Sequence, residues 1–155
     1  MSGRQVSFGL IGCGKVGFKH LEAIASLAGK AKLLGVCDVE SERVLKASEA
    51  FGVRSFSKVS TFIKELKGID VVIVAVPTGL HAEVVKEVAP SGCTILVEKP
   101  MALCPEDCDS MVEACERFGS KIFVAYQNRY NFAVKKAYEA VKSGRLGKPV
   151  LATAR

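Results

Sequence analysis

Short apolar runs rich in Val and Ile recur along the chain, each followed by a longer segment whose apolar positions return every three or four residues. Runs of the first kind read as buried strands and segments of the second as amphipathic helices. The pattern predicts strands over residues 6–11, 32–37, 54–56, 69–76, 94–97 and 121–126. Helices are predicted over 16–28, 42–51, 60–66, 81–88, 105–118 and 133–143. Ser41 stands where an N-cap belongs, Pro105 suits a first helical turn, and Gly52, Gly119 and Gly144 follow their helices as C-terminal stops. Strands without polar alternation, interleaved with helices, argue for a parallel sheet covered on both faces. The expected fold class is therefore α/β, a doubly wound parallel sheet (Rossmann fold) whose ligands bind at the carboxyl ends of the strands.

The segment "GRLGKPVLATAR", residues 144–155, turns through two glycines and a proline toward a new strand that a finished sheet of this kind leaves without a partner. The domain boundary is accordingly placed at 148. Residues 1–148 are read as the nucleotide-binding domain and 149–155 as the start of a second domain that is truncated here.

Composition narrows the classes. A chain of 155 residues suits one domain and can bury roughly 70% of its unfolded surface. With 49% apolar and 25% charged residues it has the balance of a soluble globular protein, not of a disordered one. The longest apolar runs, such as "VVIVAV", fall far short of the roughly 20 residues that span a bilayer. The start lacks a signal-peptide pattern, so no membrane partner and a cytoplasmic location are expected. The net charge of +6 is scattered, its densest cluster being Lys135 and Lys136 without an interleaved aromatic stripe, which argues against nucleic acid. The six cysteines form no CxxC pair and no Cys/His set at zinc spacing, so no metal is expected. Cys104, Cys108 and Cys115 share a helical face and are read as small buried apolar side chains.

The first strand leads into "GCGKVG", a GxGxxG at a strand-to-helix junction. Gly12 would allow the tight turn, Gly14 the approach of a pyrophosphate, and Gly17 close packing of helix on strand, with Lys15 and Val16 completing the loop. Asp38 closes the second strand in "VCD", twenty-one residues past Gly17, where ribose hydroxyls need an acceptor. Its charge opposes a 2′-phosphate, so NAD is expected as cofactor and NADP is disfavoured. Arg43, one turn into the next helix, is the one cation that could offset this.

Beyond these lie "VPTGLH" after the fourth strand, "LVEKPMAL" after the fifth and "QNRYN" after the sixth. With "GLIGCGKVG" and "VCD", these stretches make the chain resemble, along its whole length, the N-terminal half of the glucose-fructose oxidoreductase, inositol dehydrogenase and rhizopine catabolism family (Gfo/Idh/MocA). The Glu98-Lys99-Pro100 run is the most specific element. The resemblance implies Pro77, Thr78 and His81 on the cofactor side, Glu98 by the nicotinamide ribose, and Lys99 as the catalytic residue at the nicotinamide and the reacting substrate carbon. A positively charged nicotinamide favours a neutral amine beside it, so Lys99 could accept a hydroxyl proton.

"QNRYN" resembles members that oxidise the 3-position of nucleotide-linked sugar acids for surface polysaccharides. That likeness assigns Gln127 to the cofactor and Arg129 and Tyr130 to an anionic sugar substrate. Family members also carry a second α/β domain, which supplies further catalytic groups and usually the interface of a homo-oligomer. The leading expectation is an NAD-dependent sugar dehydrogenase of which this chain is the cofactor-binding half, inactive alone. A non-catalytic NAD(P)-binding sensor, and a natural short chain that pairs with a separate partner, are the competing readings.

Overall fold

The computed structural model describes residues 4–153. Six strands, β1 (Val6–Ile11), β2 (Ala31–Cys37), β3 (Arg54–Phe56), β4 (Val71–Val74), β5 (Thr94–Val97) and β6 (Lys121–Val124), form one parallel sheet in the order β3-β2-β1-β4-β5-β6. The order reverses between β1 and β4, which opens a crevice at their carboxyl ends. The helices are α1 (Lys15–Ser26), α2 (Ser41–Phe51), α3 (Val59–Glu65), α4 (His81–Val88), α5 (Pro105–Phe118) and α6 (Phe132–Lys142). None of the described helices is long and apolar enough to cross a membrane.

Side-chain alternation along the central strands divides the core in two. Leu10, Val36 and Ile73 point to the face covered by Leu21 and Ile24 of α1 and Val44 of α2. Ile11, Val72 and Val74 point to the face covered by Phe62, Val85 and Met111 of α3, α4 and α5. The β1–β2 register shifts between Phe8 and Gly9, and a Cβ on Gly9 would stand 2.5 Å from Phe62 Cζ. The bare backbone there is what lets α3 lie close to the sheet.

Several local boundaries differ from the pattern-based expectation. The fourth strand is Val71–Val74 and not 69–76. At its start the Asp70 carboxylate takes the Ser7 N–H at 2.8 Å and pairs with Arg4, and at its end the chain leaves the sheet toward Pro77, whose nitrogen carries no hydrogen. Ser41 is the first residue of α2 and caps nothing; Glu40 holds the N-cap position. The three cysteines of α5 do not share one environment, for Cys115 is buried while Cys104, at the N-cap, and Cys108 are partly exposed. The strand expected past Gly147 does not form over 149–153, and its last two residues lie outside the described ones.

One compact unit ends at Ala125 and a second begins at Tyr126. The second holds a 3₁₀ turn over Gln127–Tyr130 and α6, whose N-cap Asn131 accepts the Ala133 N–H at 3.0 Å.

Candidate cofactor site

The β1–α1 turn builds the centre of the site. Gly12 has φ +100°, and a Cβ there would meet the Ala75 carbonyl carbon at 2.5 Å. A Cβ on Gly17 would approach the Gly12 carbonyl oxygen to 2.0 Å, so this glycine seats α1 on its strand. Gly14 is different: nothing lies within 4 Å of the position its Cβ would take. The space beside it is open, as a pyrophosphate passing over the loop requires. Gly14 is also the N-cap of α1, which has neither a side-chain cap nor an acidic residue in its first turn. The first N–H groups of that helix are thus available to an anion.

Asp38, at the end of β2, fixes the same turn. Its Oδ2 accepts the Cys13 N–H at 2.6 Å and its Oδ1 the Glu40 N–H at 2.9 Å. Each carboxylate oxygen keeps a further lone pair, so two ribose hydroxyls still find acceptors. Beneath it lie the thiols of Cys13 and Cys37. Burial, aided by the Asp38 charge, pushes both up to about 12. They are protonated at neutral pH and serve as packing, not as nucleophiles.

A cavity of about 780 Å³ opens over this turn, lined among others by Gly12, Gly14, Lys15, Val16, Asp38 and Pro77. Arg43 reaches the cavity too, but Glu40, Glu83 and Glu87 share its wall, a poor setting for an extra phosphate. Thr78 opens the 3₁₀ turn Thr78–Leu80 that follows, half-buried. The His81 ring does not face the cavity as expected. It is 1% exposed, with Nδ1 3.0 Å from the Met101 carbonyl oxygen and Nε2 2.9 Å from that of Val76, so both ring nitrogens are spent on backbone.

Glu98 and Lys99 follow β5, which runs parallel to β4, so they stand on the same edge of the sheet as the cavity. Glu98 is buried, and its Oε2 accepts the Lys99 N–H at 3.1 Å. Its Oε1 meets Nε2 of His20 at 2.7 Å. His20 went unnoticed in the sequence, although it lies three residues past Gly17 and therefore on the same side of α1. The Lys99 side chain is exposed and pairs with no carboxylate among the described residues; the peptide to Pro100 is cis. Gln127, Arg129 and Tyr130 lie on the exposed 3₁₀ turn of the second unit, with Lys135 Nζ 5.5 Å from the Tyr130 ring centre.

A parallel sheet with this strand order, an uncapped glycine-lined helix start and a carboxylate at the end of the second strand defines a dinucleotide-binding Rossmann domain. A model of an oxidoreductase family, described as the NAD-binding Rossmann fold of Gfo/Idh/MocA, matches residues 6–126. The chain belongs to the Gfo/Idh/MocA family, and the cofactor of this domain is NAD. It is 32% identical over 140 residues to D-apiose dehydrogenase of Paraburkholderia graminis, covering 90% of this chain and 37% of that protein. It is 29% identical over 146 residues to the NAD(+)-dependent scyllo-inositol 2-dehydrogenase of Bacillus subtilis, covering 94% and 43%. The crystal structure of the WlbA dehydrogenase from Bordetella pertussis, in complex with NADH and UDP-GlcNAcA, superimposes with a TM-score of 0.88 at 38% identity, covering 94% of this chain and 44% of that one. The chain thus spans less than half the length of the relatives it matches.

Proposed function

We propose that this chain is the cofactor-binding part of an NAD-dependent dehydrogenase that oxidises a hydroxyl carbon of a sugar or nucleotide-linked sugar acid. The observation that carries the reading is Lys99, an ammonium without an ionic partner among the described residues, at the end of β5 on the strand edge where the dinucleotide cavity opens. A domain that only sensed NAD would have no use for a cation there. The likeness to WlbA, whose structure holds UDP-GlcNAcA, supports a nucleotide-linked sugar acid as substrate.

Gly12, Gly14 and the start of α1 would hold the pyrophosphate, Asp38 the adenosine ribose, and Glu98 the nicotinamide ribose. NAD, when bound, supplies the acceptor for the hydride that leaves the hydroxyl carbon. Lys99 takes or steers the hydroxyl proton as the C–O bond becomes a carbonyl. The family resemblance gives Gln127 to the cofactor and Arg129 and Tyr130 to an anionic sugar. In this reading residues 1–148 form the cofactor domain and 149–155 lead into a substrate domain. The six free thiols fit a reducing compartment such as the cytoplasm.

Two measurements test this. Calorimetric titration of the chain with NADH and with NADPH is expected to show binding of NADH alone. In the full-length protein, Lys99→Ala is expected to lower sugar oxidation at least about a hundredfold, with NADH affinity changed by less than about threefold. Undiminished oxidation by that variant would remove Lys99 from the chemistry, and NADH binding without sugar oxidation by the unsubstituted full-length protein would leave the sensor reading in its place.

A further inference from the structure

The chain has two histidines, and both contact one turn, residues 98–101. From the α1 side, His20 Nε2 meets Glu98 Oε1 at 2.7 Å, and the other oxygen of that carboxylate receives the N–H of Lys99. From the α4 side, the His81 ring lies between the carbonyl oxygens of Met101 and Val76, and Val76 is part of the cavity wall. A neutral imidazole donates through one nitrogen only, so the ring holds one of these carbonyls when neutral and both when protonated. The pairs are sheltered, with His20 20% and Glu98 10% exposed in their side chains, so these bonds count for more than surface ones.

Lys99 itself has a long flexible side chain, exposed and without an ionic partner among the described residues. Its position is therefore set by the backbone it hangs from. We propose that His20 and His81 are positioning residues for Lys99, two imidazoles that grip the 98–101 turn at its start and its end and so fix where the ammonium stands over the cofactor. The proposal rests on the role given to Lys99 above. Through His20 it also ties that turn to α1, the helix whose N-terminus receives the pyrophosphate.

The test starts with the wild-type chain, without cofactor and labelled with ¹⁵N. His20 is expected to show a slowly exchanging, downfield proton at Nε2 and His81 one at Nδ1, the nitrogen that faces Met101, in two-bond ¹H–¹⁵N spectra, and rapid exchange or no proton at either of these nitrogens overturns that half of the clamp. This measurement carries the His81 half, because His81→Ala would empty a core position and could unfold the chain. For His20, the Ala variant is expected to shift the Lys99 amide resonance and weaken NADH about tenfold while the amides of Gly12 and Gly14 stay in place. His20→Gln, which can still donate to Glu98, is expected to recover affinity to within about threefold of wild type. An unmoved Lys99 amide in His20→Ala, or a Gln variant no better than Ala, overturns the proposal. The imidazole spectra need no cofactor, so a missing clamp is told apart from a missing dinucleotide site or a Lys99 without a role.

Discussion

Asp38 holds the turn with the carboxylate that the proposed function also gives to the ribose, and substitution separates the two. Asp38→Ala leaves the buried N–H of Cys13 without its acceptor, at a cost of about 1–3 kcal/mol, and frees the Glu40 N–H, which water can reach. Urea unfolding should register that loss. Asp38→Asn keeps one carbonyl oxygen for the turn, so it should retain more of the stability while NADH affinity falls about tenfold by calorimetry. The thiols below it give a pH test. Cys13 and Cys37 are raised in the fold from 9.0 to about 12. The folded state therefore holds protons that the unfolded chain releases, and this contribution is complete below 9 and lost as pH climbs toward 12. The urea midpoint should fall across that window, and a Cys13→Ala, Cys37→Ala double variant should flatten the fall. Asp38 was legible because its distance from Gly17 is fixed by one helix and one strand. His20 was not, because its meaning depends on Glu98, which only the folded sheet brings to it.

Two glycines of one turn should fail in opposite ways. Gly17→Ala drives a Cβ to 2.0 Å from a backbone carbonyl, and α1 must move off the sheet. We expect a loss of about 2–4 kcal/mol in unfolding free energy, with cofactor binding lost alongside it. Gly14→Ala meets nothing within 4 Å and keeps a φ of −74° that alanine adopts freely. Its melting temperature should match the wild type while NADH affinity drops at least about tenfold, because the new methyl would occupy the path proposed for the pyrophosphate. Among the described residues apolar periodicity located the six strands and the six α-helices, since each buried strand carries its own Val/Ile run. It overextended β4, whose start is set at Asp70 and whose end by the departure toward Pro77, and not by loss of hydrophobicity. It also made Ser41 a cap, although the chain enters α2 one residue earlier at Glu40.

At the scale of the molecule, the residues proposed to hold the cofactor gather on one rim of the sheet. The Gly12 turn, Asp38 and Glu98 come directly after carboxyl strand ends and Pro77 three residues after one, on the rim that the strand order sets out. Alternating strands and helices alone are enough to place them there. The residues past β6 could not be placed in the same way, because Gln127 and its neighbours begin a second compact unit and local pattern says nothing about how such a unit is used. The opposite rim carries other connections, among them the exposed Lys67 and Gly68 just before Asp70 bonds back to Ser7. A Cβ on Gly68 would touch nothing within 4 Å. A fluorescent reporter spliced in between Lys67 and Gly68 would thus sit a full strand length from the nucleotide, and the fusion could be titrated with NADH as a sensor whose optical tag leaves the coenzyme's berth untouched.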